Sequence, residues 1–341
     1  MLSGNTSIFH YKEPFILESG EYLPELEIAY HTFGEFKPGT SRVVWVCHAF
    51  TANADVFDWW KGLFGEDCYF NPEDWFIICA NKLGSCYGST GPLSINPLTG
   101  KAWYHSFPRV SIRDMVNAHE ILRRHLGIEK IHTVMGGSTG GHQALEWTIM
   151  YPGVHEHLIC LANHAKASPW SIAFSQSQRM AIEADQTWRE EHPEAGLRGL
   201  AAARSIALLS YRNYQTYLET QSEDSDEKTT DFRAMSYQVY QGEKLVRRFN
   251  AYSYMRLLSA MDSHNIGRKR DGIENVLASV KARTLVIGIL SDFLFPVQEQ
   301  LFMTERIPGA TFTGIESLYG HDGFLIETEK IKTAISRFYT S

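Results

Sequence analysis

Residues 136–140 read Gly-Gly-Ser-Thr-Gly, a match to Gly-x-Ser-x-Gly, and their flanks constrain the fold more than any other feature of the chain. The apolar run Ile131-His132-Thr133-Val134-Met135 leads in, and the helix-like run Gly141-His142-Gln143-Ala144-Leu145-Glu146-Trp147 leads out. Strand, sharp turn and helix in that order make a nucleophile elbow. The turn is so tight that side chains beside the serine would clash, so small residues flank it. Ser138 then stands at the carboxyl end of a strand, its hydroxyl exposed and the amino end of the next helix beneath it.

The rest of the chain supplies the sheet that such an elbow needs. Val43–Cys47 and Phe76–Ala80 are continuous apolar runs, the pattern of strands buried on both faces. His157–Ala162, Thr284–Leu290 and Thr311–Ile315 are further strand candidates. Phe15–Leu17 and Leu26–His31, separated by Glu18-Ser19-Gly20, read as a hairpin. Ile112, Met115, Val116, Ile121 and Leu122 recur at helical spacing; Ser111 with Asp114 resembles a capping box, and Gly127 is placed as the stop. Strands alternating with helices imply a mostly parallel sheet covered on both faces.

From about Ser168 to Asn275 that rhythm breaks. Long helical patterns such as Leu200–Leu218 follow one another with no buried strand, and Ser222–Lys228 reads as an exposed charged loop. Seven tyrosines, at 211, 214, 217, 237, 240, 252 and 254, argue for a folded helical insertion over a disordered linker. The expected organisation is a core over residues 1–167, an inserted helical lid over 168–275, and the returning core over 276–341.

A chain of 341 residues with 44% hydrophobic composition can bury a large core without disulfides. Its five cysteines are an odd number, show no CxxC, and place Cys47, Cys79 and Cys160 in apolar runs as small buried hydrophobes. The start lacks a basic segment followed by an apolar one, and no apolar run is long enough to span a bilayer. A reducing cytoplasm is the expected location. The net charge of −7 argues against a general nucleic-acid binder. Among fourteen histidines the densest group is His155-Glu156-His157; spaced carboxylate or cysteine partners are missing, so no metal is expected. His48 and His142, beside the elbow, read as packed structural histidines.

A serine hydroxyl needs a base, and the base needs an orienting acid. On this kind of sheet the chain order is serine, acid, histidine. Asp292 follows the Thr284–Leu290 strand, and His321, in Gly320-His321-Asp322-Gly323, follows the next one. Both therefore fall at carboxyl ends of strands, where open α/β sheets bind ligands. An oxyanion hole draws one donor from the residue after the nucleophile, Thr139, and another from the loop after an earlier strand. That loop is His48-Ala49-Phe50-Thr51-Ala52-Asn53, and Phe50 N–H is the candidate.

Longer blocks carry a family resemblance. His48–Thr51, Cys79–Asn81, Gly84-Ser85-Cys86-Tyr87-Gly88-Ser89-Thr90-Gly91-Pro92, Ser94–Pro97, Arg113–Val116, Gly136–Glu146, Asp262–Arg268, Ser291–Pro296 and Gly320–Asp322 resemble the signature blocks of homoserine O-acetyltransferases. They run from near residue 45 to near residue 326. The resemblance implies an α/β-hydrolase core with a helical lid, and homodimers packed through the lids. It implies acylation of the side-chain hydroxyl of L-homoserine from an acyl-CoA, usually acetyl-CoA as co-substrate, in methionine biosynthesis, with no cofactor. Ser138 becomes the acylated nucleophile, His321 the base and Asp292 its orienter. Gln178-Arg179-Met180-Ala181-Ile182 matches the family's Gln-Arg-x-Ala-Ile block, which assigns Arg179 to the homoserine carboxylate, and Asp322 to the amine. Phe50 stands where the family usually has Leu, and Thr139 where it usually has Met; both flank the acyl group. Succinyl-CoA as donor, serine as acceptor, and plain ester hydrolysis are the competing readings. A non-catalytic binding protein on this fold is a further one, against which the intact Ser, Asp and His set argues.

Overall fold

A computed structural model describes residues 6–341. Its centre is an eight-stranded sheet: β1 (Ser7–Tyr11), β2 (Leu26–Phe33), β3 (Val43–Cys47), β4 (Phe76–Ala80), β5 (Ile131–Gly137), β6 (His155–Leu161), β7 (Arg283–Ile289) and β8 (Thr311–Ile315). The spatial order is β1-β2-β4-β3-β5-β6-β7-β8. β2 runs antiparallel to both neighbours, and every pairing from β4 to β8 is parallel. The continuous apolar runs became the innermost strands because both their faces are covered. In β3, Val43, Trp45 and Cys47 join one core cluster while Val44 and Val46 join the other, the period-two alternation of a strand between two helical layers.

The helix α1 (Ile112–His125) starts where its capping box predicts: Ser111 accepts from Asp114 N–H and Asp114 accepts from Ser111 N–H. The helix α2 (Thr139–Met150) leaves the elbow and packs beside α1. Between β6 and β7 there are only helices: α3 (Pro169–Glu183), α4 (Leu197–Tyr211), α5 (Tyr214–Gln221), α6 (Arg233–Val246), α7 (Ala251–Asp262) and the short Ile273–Ala278. Within that layer α4 is central, packed on both α3 and α6. Gly199 permits this contact, since a Cβ there would press on the backbone of Ala181 and Ile182. The helices α8 (Val297–Arg306) and α9 (Thr328–Thr340) complete the core layers.

The amino-terminal hairpin differs from expectation. Phe15–Ile16 pairs with Tyr22–Leu23 as a two-residue ribbon, and β2 pairs instead with β1, which the sequence reading did not identify. Pro24 ends the ribbon because it has no N–H to give to a ladder. β1 is a mostly exposed edge strand whose mixed polar and apolar residues make a weak signal. β6 also begins two residues before its expected start. All five cysteines are free, with Cys47, Cys79 and Cys160 buried as expected.

Candidate active site

Steric exclusion shapes the elbow. Ser138 sits at φ 56° and ψ −126°, a region that side-chain-bearing residues rarely adopt. The backbone holds it there because β5, α2 and the end of β3 converge. A Cβ on Gly136 would overlap the Gly140 backbone, and one on Gly140 would overlap the Cys47 carbonyl. The small residues of the motif are thus the condition for α2 to approach the sheet.

The three dispersed residues meet at this point. Ser138 Oγ lies 2.9 Å from His321 Nε2, and His321 Nδ1 lies 2.6 Å from Asp292 Oδ2. The other carboxylate oxygen, Asp292 Oδ1, accepts from the backbone N–H groups of Leu294 at 2.9 Å and Phe295 at 3.0 Å. That anchoring fixes the carboxylate, which in turn fixes the imidazole. All three residues are buried. Burial pulls the His321 titration down, but the charge and hydrogen bond of Asp292, with the charge of Asp322, outweigh it and leave the histidine raised above its ordinary value. A serine–histidine–carboxylate chain with a strengthened base can generate a nucleophilic alkoxide and reprotonate a leaving group.

Thr139 is the first residue of α2, so its N–H is one of the donors a helix start leaves without an intrahelical partner. Phe50 lies in the loop after β3 and lines the same cavity as Ser138, its ring edge-on to Tyr254 at 4.7 Å. That cavity measures about 280 Å³. The core contributes Phe50, Ser138, His321 and Asp322 to its wall; the lid contributes Arg204, Tyr211 and Arg248. Asp322 is held by Arg212 at 3.2 Å.

Arg179 is not there. It binds Asp262 at 2.5 Å and lines a separate cavity with Arg109 and Ser259. The docking of α3 on the rest of the lid turns this residue toward α7 and Asp262, so it does not face the Ser138 cavity. The lid cations that line the Ser138 cavity are Arg204 and Arg248, neither singled out from the sequence; Arg204 is partly buried on α4, its guanidinium 5.3 Å from the Tyr211 ring centre. Tyr211, whose hydroxyl burial pushes up to about 12, places its ring 5.8 Å from that of His321. Arg204 and Tyr211 stand about two helical turns apart on one face, and that spacing was the available signal.

The remaining histidines do not line the cavity. His48 is locked between Ala49 O and Lys82 N–H. His142, His164 and His264 cluster in the interior, and burial holds all three below the ordinary histidine range. His155, expected in a surface group with Glu156 and His157, is instead buried against Trp147 at 5.3 Å, and His132 takes its place in the group.

Comparison with known proteins agrees with this architecture. Residues 42–328 match the family described as alpha/beta hydrolase fold. The homoserine O-acetyltransferase of Cyclobacterium marinum is 49% identical over 97% of this chain and 94% of its own length. The crystal structure of homoserine O-acetyltransferase from Bacillus anthracis superposes with a TM-score of 0.90 at 24% identity, covering 98% of this chain and 96% of that one. Esterase E22 superposes nearly as well, with a TM-score of 0.88 at 22% identity over 98% of this chain and 99% of its own. The two superpositions establish the fold, and the fold by itself does not separate transferases from esterases. The curated relative does separate them: the chain belongs to the homoserine O-acetyltransferase family of α/β-hydrolase-fold enzymes.

Proposed function

We propose that this enzyme moves an acetyl group from acetyl-CoA to the side-chain hydroxyl of L-homoserine through an acyl-Ser138 intermediate, as a step of methionine biosynthesis. The supporting observation is one cavity in which the Ser138–His321–Asp292 chain faces both a guanidinium, Arg204, and a carboxylate, Asp322. A free amino acid carries the complementary pair of charges, and a simple ester carries neither.

In the first half-reaction Ser138 Oγ attacks the thioester carbonyl carbon while its proton passes to His321 Nε2. The carbonyl π pair moves onto oxygen, where the Thr139 and Phe50 N–H groups donate. The C–S bond then breaks, and His321 returns the proton to the departing thiolate. In the second half-reaction the homoserine hydroxyl gives its proton to His321 and attacks the acyl carbon; Ser138 Oγ leaves and recovers the proton. Asp292 stays ionised throughout and stabilises the imidazolium. The scheme needs no resident metal or cofactor.

Succinyl transfer has one observation in its favour, since Arg248 also lines the cavity. Its guanidinium is already engaged by Thr51 and Tyr87, so acetyl-CoA is the favoured donor. Tyr214, Met235, Val239 and Tyr240 leave an exposed apolar face on α5 and α6, through which we place a homodimer; light scattering tests it. Among the described residues no helix is long and apolar enough to cross a membrane, and we place the reaction in the cytoplasm.

The transfer is tested by following thiol release. Acetyl-CoA alone should give one equivalent of CoA per active site and an acetyl mass on the Ser138 peptide. Homoserine should then turn the burst into steady release, with parallel double-reciprocal lines. Intersecting lines without a burst would mean direct transfer.

A further inference from the structure

Among the described residues Lys82 is the one buried lysine, 1% exposed just past the end of β4. Its Nζ donates to Thr139 Oγ1 at 2.7 Å. Its backbone N–H donates to His48 Nε2 at 3.1 Å, and His48 Nδ1 lies 2.8 Å from Ala49 O, in the loop that carries Phe50. One residue is therefore tied to both sides of the oxyanion hole, by its ammonium to Thr139 and through His48 to the Phe50 loop.

Its electrostatic surroundings are unusual. Among the described residues no carboxylate pairs with Lys82. The groups acting on it are the Cys47 and Cys79 thiols, on β3 and β4. It acts in turn on His48, on His119 of α1 and on His142 of α2, all of which burial holds below the ordinary histidine range. Burial brings the Lys82 ammonium down to about 7, with the two thiols opposing. A desolvated cation without a counter-ion is costly to keep. A negative charge that forms nearby during turnover gives such a cation a function, and that charge is the oxyanion facing Thr139 N–H.

We propose that Lys82 is a positioning residue of the oxyanion hole: it ties Thr139 to the Phe50 loop and sets behind the two donors a positive charge that is balanced while the oxyanion exists. Lys82 makes and breaks no bond to the substrate. Holding the anion raises the Lys82 titration above its value in the free enzyme. The inference rests on the acyl-serine reading above.

The test is a titration of the whole enzyme carrying lysine labelled with ¹³C at Cε, free and after reaction with a p-nitrophenyl alkylphosphonate. That reagent phosphonylates an active serine and leaves an anionic oxygen in the place of the oxyanion. The Lys82 resonance is assigned by its loss in Lys82→Arg or Lys82→Met. Its titration midpoint should rise by about one pH unit or more in the adduct. An adduct on Ser138 with an unmoved Lys82 overturns this inference alone. Failure to form the adduct overturns the acyl-serine reading and the inference with it. Lys82→Met should also slow burst-phase CoA release about tenfold or more at unchanged acetyl-CoA KM. An unchanged burst rate, or a loss confined to KM, overturns the positioning role.

Discussion

The elbow and the acceptor side of the cavity are built in different ways. At the elbow, backbone sterics decide everything: β5, α2 and the end of β3 leave room for glycine at 136 and 140, and Ser138 has one place to stand. Across the cavity, Arg204 and Tyr211 reach in from α4, whose position depends on how the lid helices dock on one another. The first arrangement should fail all at once when altered. The second should lose one half-reaction and keep the other.

Changes at the elbow should therefore have the largest effects, and of two distinct kinds. Ser138→Ala should lower acyl transfer by about 10⁴-fold or more while leaving the thermal midpoint close to wild type, because only a hydroxyl is lost. Gly140→Ala should do the opposite, driving a methyl into the Cys47 carbonyl and costing about 3 kcal/mol or more of stability. Denaturant titration and thiol release on both variants separate the chemical role from the steric one. A stable, active Gly140→Ala protein would refute the claim that close approach shapes the elbow.

The acceptor side should give an intermediate effect. Arg204→Leu should leave the acetyl-CoA burst intact and slow the homoserine-dependent phase about 10- to 100-fold, the loss of one charge-assisted contact. Arg179→Leu is the matched control. Arg179 lines a different cavity, so both phases should stay within about threefold of wild type, although Asp262 loses its partner and the protein its share of stability. If Arg179→Leu stalls at the acyl-enzyme and Arg204→Leu does not, the assignment made from the sequence block was right and the one from the cavity is wrong.

This contrast also explains what could be read from the chain. Ser138 and Asp292 stand just beyond buried apolar strands and His321 in the loop after the next strand, and parallel strands bring their carboxyl ends to one edge, so sequence order alone placed them together. The α1 cap was legible for the same reason, being a contact three residues long. Arg204 was not legible, because helical spacing defines a face of α4 but not what that face looks at. Arg179 lines a different cavity, which the block could not foretell, because a match by residue type carries no information about helix rotation within the lid. Lys82 carries no signal in the sequence; its burial and the contact of its Nζ with Thr139, at the start of α2, arise only in the folded chain. β1 escaped notice because an edge strand with one solvated face need not hold a strict apolar pattern.

The smallest expected effect is the one that links the two regions. Asp322 lines the acceptor side, yet its charge helps to raise the His321 titration, after the larger influence of Asp292. His321 must be neutral to accept the serine proton, so burst-phase acylation should fall as pH drops through the raised value, about tenfold for each further unit. Removing a nearby negative charge makes the imidazolium less stable, so Asp322→Asn should move that acid limb toward lower pH. The variant should thus acylate faster than wild type on the acid side while handling homoserine less well. The measurement is the pH dependence of the acetyl-CoA burst rate, taken without homoserine so that loss of the ammonium contact cannot interfere. A limb that stays in place would show that the field of Asp322, held by Arg212, does not reach the base, and that the elbow works independently of the acceptor side.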